Sequence, residues 1–430
     1  MVYFIIYDIV FFLFLLLFFP YIWERIKSER DFPFEWKERF AVYSKEKKED
    51  FKKRDGKNIW LHTVSVGEFL SITPLLGKLK KEKFNITVSL TTKTGRKVAE
   101  NKIPDINYIF FPFDFYPIMK KAINEIKPDL IVLVETEIWV NLLRIAKSKE
   151  IPVILINGRI SPRSFSNYRK FRFLTKKVLP LLSFISMRTE EEAEKIIYLG
   201  AEKEKVKVCG SIKFDLAFSL SKTINPEEVW EKYSIPKNKR IIVFGSIHPE
   251  EEKGVVKITK RILKEFSNVI CVIVPRFLDR TEIFKILKQE NIKYERKSSL
   301  EKGKSFSVLV VDTYGELNNF YSICEFAFVG GSLNRWGGQN PIEPTAFKKP
   351  VIYGKDNWHF FYEWKKIKDG GGGIEVEDFE QLYHQILKLL RNPEIAKKMG
   401  EKAYQVLLQN TGATEKNFLI IKRIIKFDRN

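Results

Sequence analysis

Short apolar runs alternate with amphipathic stretches along almost the whole chain, and this rhythm leaves few folds open. The first series is "NIWLHTVS" (58–65), "ITVSLTT" (86–92), "YIFFPF" (108–113), "DLIVLVET" (129–136), "PVILING" (152–158), "FISMRT" (184–189) and "VKVCGS" (206–211). Segments such as "EFLSITPLLGKLKKEK" lie between them with helical spacing. Strand-length apolar runs, each followed by an amphipathic helix, predict βαβ units around a parallel sheet. Residues 216–238 break the rhythm with polar, Pro-containing sequence, which predicts a linker. A second series follows: "RIIVFGSI" (240–247), "VICVIVPRF" (269–277), "FSVLVVDT" (306–313), "FAFVGGS" (326–332) and "PVIYG" (350–354). The expected fold class is α/β, with two Rossmann-like domains facing each other across a cleft at the carboxyl ends of their strands. The expected ranges are 28–215 and 239–410, with 411–430 a basic amphipathic helix packing back on the first domain.

Residues 2–23 are almost wholly apolar, with Asp8 their only charge, and Arg25, Lys27, Arg30, Lys37 and Arg39 follow. That length suits a bilayer, and the positive-inside rule puts the rest of the chain in the cytoplasm. A membrane anchor is therefore expected over 1–27. No basic stretch precedes the segment and no small-residue cleavage site follows it, which argues against a signal peptide. The net charge of +21 favours an anionic partner, either a membrane surface or an acidic substrate. No RNA-binding signature or zinc-finger spacing is present, so nucleic acid is not expected. Cys209, Cys271 and Cys324 are unpaired in sequence and read as buried, reduced thiols. His62, His248, His359 and His384 are too scattered to suggest a metal, and neither metal nor cofactor is expected.

Several strand-to-helix turns carry chemistry. In "HTVSVGEFLSITPLL" (62–76), Ser65 and Glu68 fit a capping box, which alone would explain both. A carboxylate at a strand's carboxyl end also suits a general base acting on a sugar hydroxyl, and the spacing does not choose between the two. "LVETEIW" (133–139) puts Glu135 and Glu137 after another strand, with Glu135 the better candidate because it follows the strand directly. "GSIKFD" (210–215) places Lys213 at the end of the first domain. In the second domain "VPRF" (274–277) offers Arg276, a guanidinium able to pair bidentately with phosphate. "GSIHPEEE" (245–252) and "DTYGEL" (312–317) are further turns of this kind. In "NPIEP" a helix is expected to open at Asn340, with Pro341 in its first turn and Glu343 three residues on. A helix N-terminus attracts phosphate, so the layout suits a nucleotide-activated donor. No GxxxxGK[ST] sequence is present, which argues against a P-loop NTPase. "GGSLNRWGG" is not a GxGxxG turn, which argues against a dinucleotide oxidoreductase.

The ordered set "HTVSVGE", "VETEIWVNL", "NGRISPRS", "GSIKFD", "VPR", "DTYGEL" and "FVGGSLNRWGGQNPIEP" resembles the 3-deoxy-D-manno-octulosonic acid (Kdo) transferases over nearly the whole chain. The resemblance implies the type B glycosyltransferase fold (GT-B), with an acceptor-binding first domain and a CMP-sugar-binding second. It implies inverting transfer of Kdo from CMP-Kdo to the lipid A precursor lipid IVA, in lipopolysaccharide synthesis at the cytoplasmic face of the inner membrane. It marks Glu68 as the catalytic base and Glu135 and Lys213 as the groups steadying charge at the transition state. It marks Pro275, Arg276, Tyr314, Gly315, Glu316, Asn340, Pro341, Ile342 and Glu343 as CMP-binding. In "TTKTGRK", a turn shorter than the family's, it puts Arg96 near the acceptor phosphate. Gln339 stands where the family often has histidine. Two other readings are a type B transferase using a different sugar nucleotide, and a non-catalytic scaffold for anionic lipid.

Overall fold

The computed structural model describes residues 7–11, 13, 16–17, 32–52, 56–301 and 303–427. The anchor expected over 1–27 falls mostly outside them. Among the described residues no helix is long and apolar enough to cross a membrane. The chain divides into two compact units. One contains the residues up to Leu216 together with Gly412–Asn430, and the other is Ala217–Thr411.

Among the described residues the first unit holds seven parallel strands: β1 (Asn58–Thr63), β2 (Asn85–Leu90), β3 (Asn107–Phe110), β4 (Leu130–Val134), β5 (Val153–Gly158), β6 (Phe184–Met187) and β7 (Val206–Val208). Their order is β3-β2-β1-β4-β5-β6-β7. Strand side chains alternate between faces, so Trp60, Ile131 and Leu133 enter one core while Ile59, Leu61, Leu130 and Val132 enter another. Burial on both faces explains why the strands read as continuous apolar runs. β1 and β4 are neighbours although β2 and β3 intervene in sequence. Their carboxyl ends form the switch point where open α/β sheets bind ligands.

The second unit repeats the plan with β8 (Arg240–Ile247), β9 (Val269–Pro275), β10 (Glu295–Arg296), β11 (Val308–Val310), β12 (Phe326–Val329), β13 (Val351–Gly354) and β14 (Gly373–Val376). The order is β10-β11-β9-β8-β12-β13-β14, which puts the switch point between β8 and β12. The stretch read as a linker over 216–238 is largely structured. It includes the helix Pro226–Lys232, and Val229, Tyr233 and Ile235 are buried in the core of the second unit. Few apolar residues at wide spacing sufficed there, which is why the segment looks like a connector in sequence.

The final helix, Ala413–Phe427, buries Phe418, Ile421 and Ile425 in the first unit's core beside Leu75 and Leu79. Its start is held from a distance. The Asp215 carboxylate accepts the Gly412 N–H at 2.6 Å and the Thr414 N–H at 2.7 Å, as an N-cap side chain does. Asp215→Ala should cost about 1–2 kcal/mol. Thermal unfolding and amide exchange over 413–427 are the checks, and unchanged protection of that helix would refute the capping role.

Candidate active site

In the first unit the site starts where β1 ends. Ser65 caps the helix Val66–Ser71, accepting the Glu68 N–H at 3.2 Å, and donates its hydroxyl to Glu68 Oε1 at 3.0 Å. The Val64 N–H reaches Glu68 Oε2 at 2.7 Å. The capping box is therefore real, and it also fixes the carboxylate at the switch point. A Cβ built on Gly67 would meet nothing closer than Ser65 Oγ at 3.9 Å, so the approach above the helix start is open.

β4 ends one residue before Glu135, whose φ of 60° lies in the left-handed region. Such a backbone is strained for a side chain with a Cβ and persists where the surroundings enforce it. The surroundings here are the Glu135 N–H bond to Ile156 O at 3.0 Å and an ion pair with Lys213 Nζ at 3.3 Å. Lys213 is not a solvated charge. Its helix, Ile212–Ser221, is tied to β5 by the Ile212 N–H bond to Asn157 Oδ1 at 3.2 Å.

The carboxyls in this unit are pushed in different directions. Burial raises Glu135, but the cations of Lys213, Arg188 and Arg159 outweigh it and hold the group below the usual carboxylate range. Glu68 is raised by burial and by the negative charge of Glu135, against the opposing pull of its Val64 and Ser65 hydrogen bonds. Glu137 is pushed up to about 8, first by burial and then by Glu68 and Glu135. Titratable groups driven apart in this way mark acid–base sites. The structure thus brings Glu68, Glu135 and Lys213 together. It adds Arg159 and Arg188, which the sequence did not single out, and Glu137, which stood beside Glu135 there as the weaker candidate. Arg159 and Arg188 directly follow β5 and β6, so the first charge after each apolar run was the available signal. Arg96 is fully engaged elsewhere. It pairs with Glu38 at 2.8 Å and Glu100 at 2.7 Å, and its guanidinium lies over the Phe110 ring.

In the second unit the loop after β12 folds around a buried carboxylate. Glu251 sits in the first turn of the helix Pro249–Glu265, with none of its surface exposed. It accepts the N–H groups of His248 at 3.1 Å, Gly331 at 2.7 Å, Ser332 at 3.1 Å and Leu333 at 3.1 Å. A Cβ at Gly330 would come within 2.7 Å of both Glu251 Oε2 and Ser246 O, so only glycine fits there. The His248 ring lies 5.2 Å from Trp336 and meets Gln339 Nε2 at 3.2 Å. Burial and the nearby Arg276 push its pKa down to about 4, which leaves the imidazole neutral near pH 7.

Arg276 follows β9, with its N–H bonded to Ile247 O at 2.8 Å. It is exposed, and among the described residues it forms no ion pair with a carboxylate. The helix expected from Asn340 is a single turn, Ile342–Thr345. Lys348 enters the left-handed region at φ 60° and Pro350 follows, so propagation stops after one turn. Asn340 still caps it, accepting the Ile342 N–H at 3.1 Å and donating to Glu343 Oε1 at 3.1 Å. One turn has little dipole, so this helix end offers less to an anion than a longer helix would. Glu343 is raised by burial, with Asn340 and Arg276 drawing it back. Pro275, Pro341 and Ile342 are buried and shape the backbone. Tyr314 is exposed and accepts the Leu278 N–H at 3.4 Å, and Gly315 takes φ 85° beside it. Glu316 is consumed by Lys297 at 2.7 Å, Lys232 at 3.3 Å and the Tyr233 hydroxyl at 2.9 Å, so its carboxylate anchors the turn. Among the described residues no group of three His, Cys, Asp or Glu is set to hold a metal.

Residues 35–216 match the family model described as 3-deoxy-D-manno-octulosonic-acid transferase (kdotransferase). A 3-deoxy-D-manno-octulosonic acid transferase of Haemophilus influenzae is 30% identical over 373 residues, covering 85% of this chain and 86% of that protein. The chain belongs to the Kdo transferase family. This transferase is also 34% identical over 381 residues to a bifunctional glycosyltransferase/methyltransferase of Fusobacterium nucleatum, covering 87% of itself but only 57% of that longer protein. In fold it is similar to the UDP-GlcNAc 2-epimerase of Neisseria meningitidis, with a TM-score of 0.60 at 16% identity over 86% of this chain and 100% of the other. The transferase is a glycosyltransferase built from two parallel-sheet α/β units.

Proposed function

We propose that this transferase moves Kdo from CMP-Kdo to lipid IVA, with inversion, at the cytoplasmic face of the inner membrane. The observation that carries this reading is the Glu68 carboxylate beside the Lys213-paired Glu135 at the first switch point. Glu68 removes the proton from an acceptor hydroxyl. That oxygen forms a bond to the anomeric carbon, the bond from this carbon to the CMP phosphate breaks, and CMP leaves with the electron pair. One base and no covalent intermediate are needed, because the donor already carries a good leaving group. Glu135 and Lys213, held as an ion pair, steady the charge that develops on the sugar. Arg276, Tyr314, Gly315, Asn340 and Glu343 take the CMP in the second unit, with Arg276 on its phosphate. Residues 2–23 anchor the chain, and the +21 charge draws it to the anionic surface and the phosphorylated acceptor.

Purified full-length protein incubated with CMP-Kdo and lipid IVA should yield an acceptor heavier by Kdo in a mass spectrum, together with free CMP. Transfer from a UDP- or GDP-sugar instead would overturn the donor assignment. Arg276→Ala should raise the donor KM about 10- to 100-fold, the loss of about 1.5–3 kcal/mol for a charged hydrogen bond. An unaltered donor KM would remove Arg276 from the phosphate.

A further inference from the structure

Glu135 and Lys213 come from distant parts of the sequence, yet one stretch of β5 holds them both. The Glu135 N–H donates to Ile156 O at 3.0 Å, and the Ile212 N–H donates to Asn157 Oδ1 at 3.2 Å. Just past β5, the Arg159 backbone is tied to the end of β4. Thr136 Oγ1 accepts the Arg159 N–H at 3.1 Å and donates its hydroxyl to Arg159 O.

β5 is irregular at this point. Its pairing with β6 shifts register between Leu155 and Gly158. Such bulges re-aim side chains beside active sites. Asn157 lies in the bulge with φ 53° and none of its surface exposed. Asparagine is one of the few residues besides glycine that visit the left-handed region readily. A Cβ at Gly158 would come within 2.4 Å of Met187 Sδ, so the bulge packs closely on β6. Among the described residues, the buried Asn157 Nδ2 has no hydrogen-bond partner. The left-handed backbone and the half-satisfied amide are both unfavourable. Glycine would turn the chain here at less strain. What glycine lacks is the carbonyl oxygen that receives Ile212.

That bond governs what comes after it. Ile212 opens the helix Ile212–Ser221, and its N–H is one of those a helix start leaves without a partner. Ile212 is fully buried, so the acceptor has to come from the protein. Lys213 follows in the first turn, where a cation works against the helix dipole. With the Asn157 bond made, this helix start is fixed to the residue beside the one that fixes Glu135, and Lys213 Nζ meets the Glu135 carboxylate at 3.3 Å.

We propose that Asn157 is a positioning residue for the transfer: its amide oxygen sets the start of the helix Ile212–Ser221 so that Lys213 stays paired with Glu135. It acts through Lys213. The inference rests on the reading that this ion pair steadies the charge developing on the sugar.

Asn157→Gly keeps the left-handed backbone and removes the acceptor. Its kcat for transfer from CMP-Kdo to lipid IVA should fall about 10- to 100-fold, the effect of a misplaced charge at a reacting centre. Its donor KM should stay within about twofold, since the CMP-binding side chains belong to the second unit. Asn157→Asp keeps both the acceptor and the tolerance for this backbone, and should restore most of the lost rate. In a Lys213→Ala background, Asn157→Gly should change kcat by less than about twofold, because the side chain it positions is gone. Full kcat in Asn157→Gly overturns the inference. So does an equal loss with and without Lys213, which would mark general damage to the fold. Should the glycine variant fail to fold, Asn157→Ser, whose shorter side chain does not reach Ile212, carries the same comparison. The two proposals fail differently. An unchanged kcat in Lys213→Ala strikes the ion pair itself, whereas a crippled Lys213→Ala beside a fully active Asn157→Gly strikes this inference alone.

Discussion

Glu68→Gln is expected to lose about 10²- to 10⁴-fold in kcat for Kdo transfer while melting within a few degrees of the wild type. The amide keeps the side-chain size, and its carbonyl oxygen can still accept the Val64 N–H, which is bonded at 2.7 Å. What it cannot do is take a proton. Glu68→Ala is the poorer test, because it also removes the carboxylate that accepts the Val64 N–H and the Ser65 hydroxyl, at a cost of about 1 kcal/mol. The pH dependence has a definite sign. A base works ionised, so the rate is full above the pKa of Glu68 and is lost as pH falls through it. Burial and Glu135 raise that pKa, so the acid limb should lie above the ordinary carboxylate range. Glu137, up to about 8, binds a proton in the folded state that the unfolded chain releases between its ordinary value and that one. Its contribution to stability therefore falls as pH rises across that window. Steady-state rates from pH 4 to 9 on both proteins, with melting curves alongside, separate the two effects. Full activity in Glu68→Gln would end its assignment as the base.

Glu251→Ala should be the most damaging single change to the second unit. It removes the acceptor for four backbone N–H groups, from His248, Gly331, Ser332 and Leu333, at a site closed to water. Each unsatisfied buried donor costs about 1–3 kcal/mol, so even partial rescue by water leaves a loss of about 4 kcal/mol or more. Glu251→Gln keeps the shape but turns an NH2 group toward these donors, and should fall between. The loop from Gly330 to Asn340 would loosen, so the donor KM should rise in any fraction that still folds. Calorimetry should show a large drop in the melting of the second unit with the first unit little changed. Melting within a degree of the wild type would show that the loop does not depend on this carboxylate.

Much of this architecture is written in residue order, and the exceptions have physical causes. Runs buried on both faces, such as "VICVIVP", announce themselves by composition alone. β10 is two residues long, and β14 starts in "GGGI" with only Val376 fully buried, so neither leaves a usable apolar run. The candidate base was legible because strand ends and capping boxes have local spelling. Glu251 was not, although "HPEEE" was noted as a turn. Three adjacent glutamates look alike in sequence, and only the distant loop from Gly331 to Leu333 selects one of them. The helix at Asn340 was overread for a related reason. A good cap predicts a beginning, and nothing in it predicts the length that follows.

The first unit's last wall is made by the helix Ala413–Phe427. Its strands are all complete by Val208, yet the face around Leu75 and Leu79 is closed only by Phe418, Ile421 and Ile425. Translation of the intervening Ala217–Thr411 at about 5–20 residues per second takes roughly 10–40 s. For that interval a nearly finished sheet leaves the ribosome with one apolar flank uncovered. Loss of the helix Ala413–Phe427 would make that exposure permanent and leave the first unit prone to aggregation.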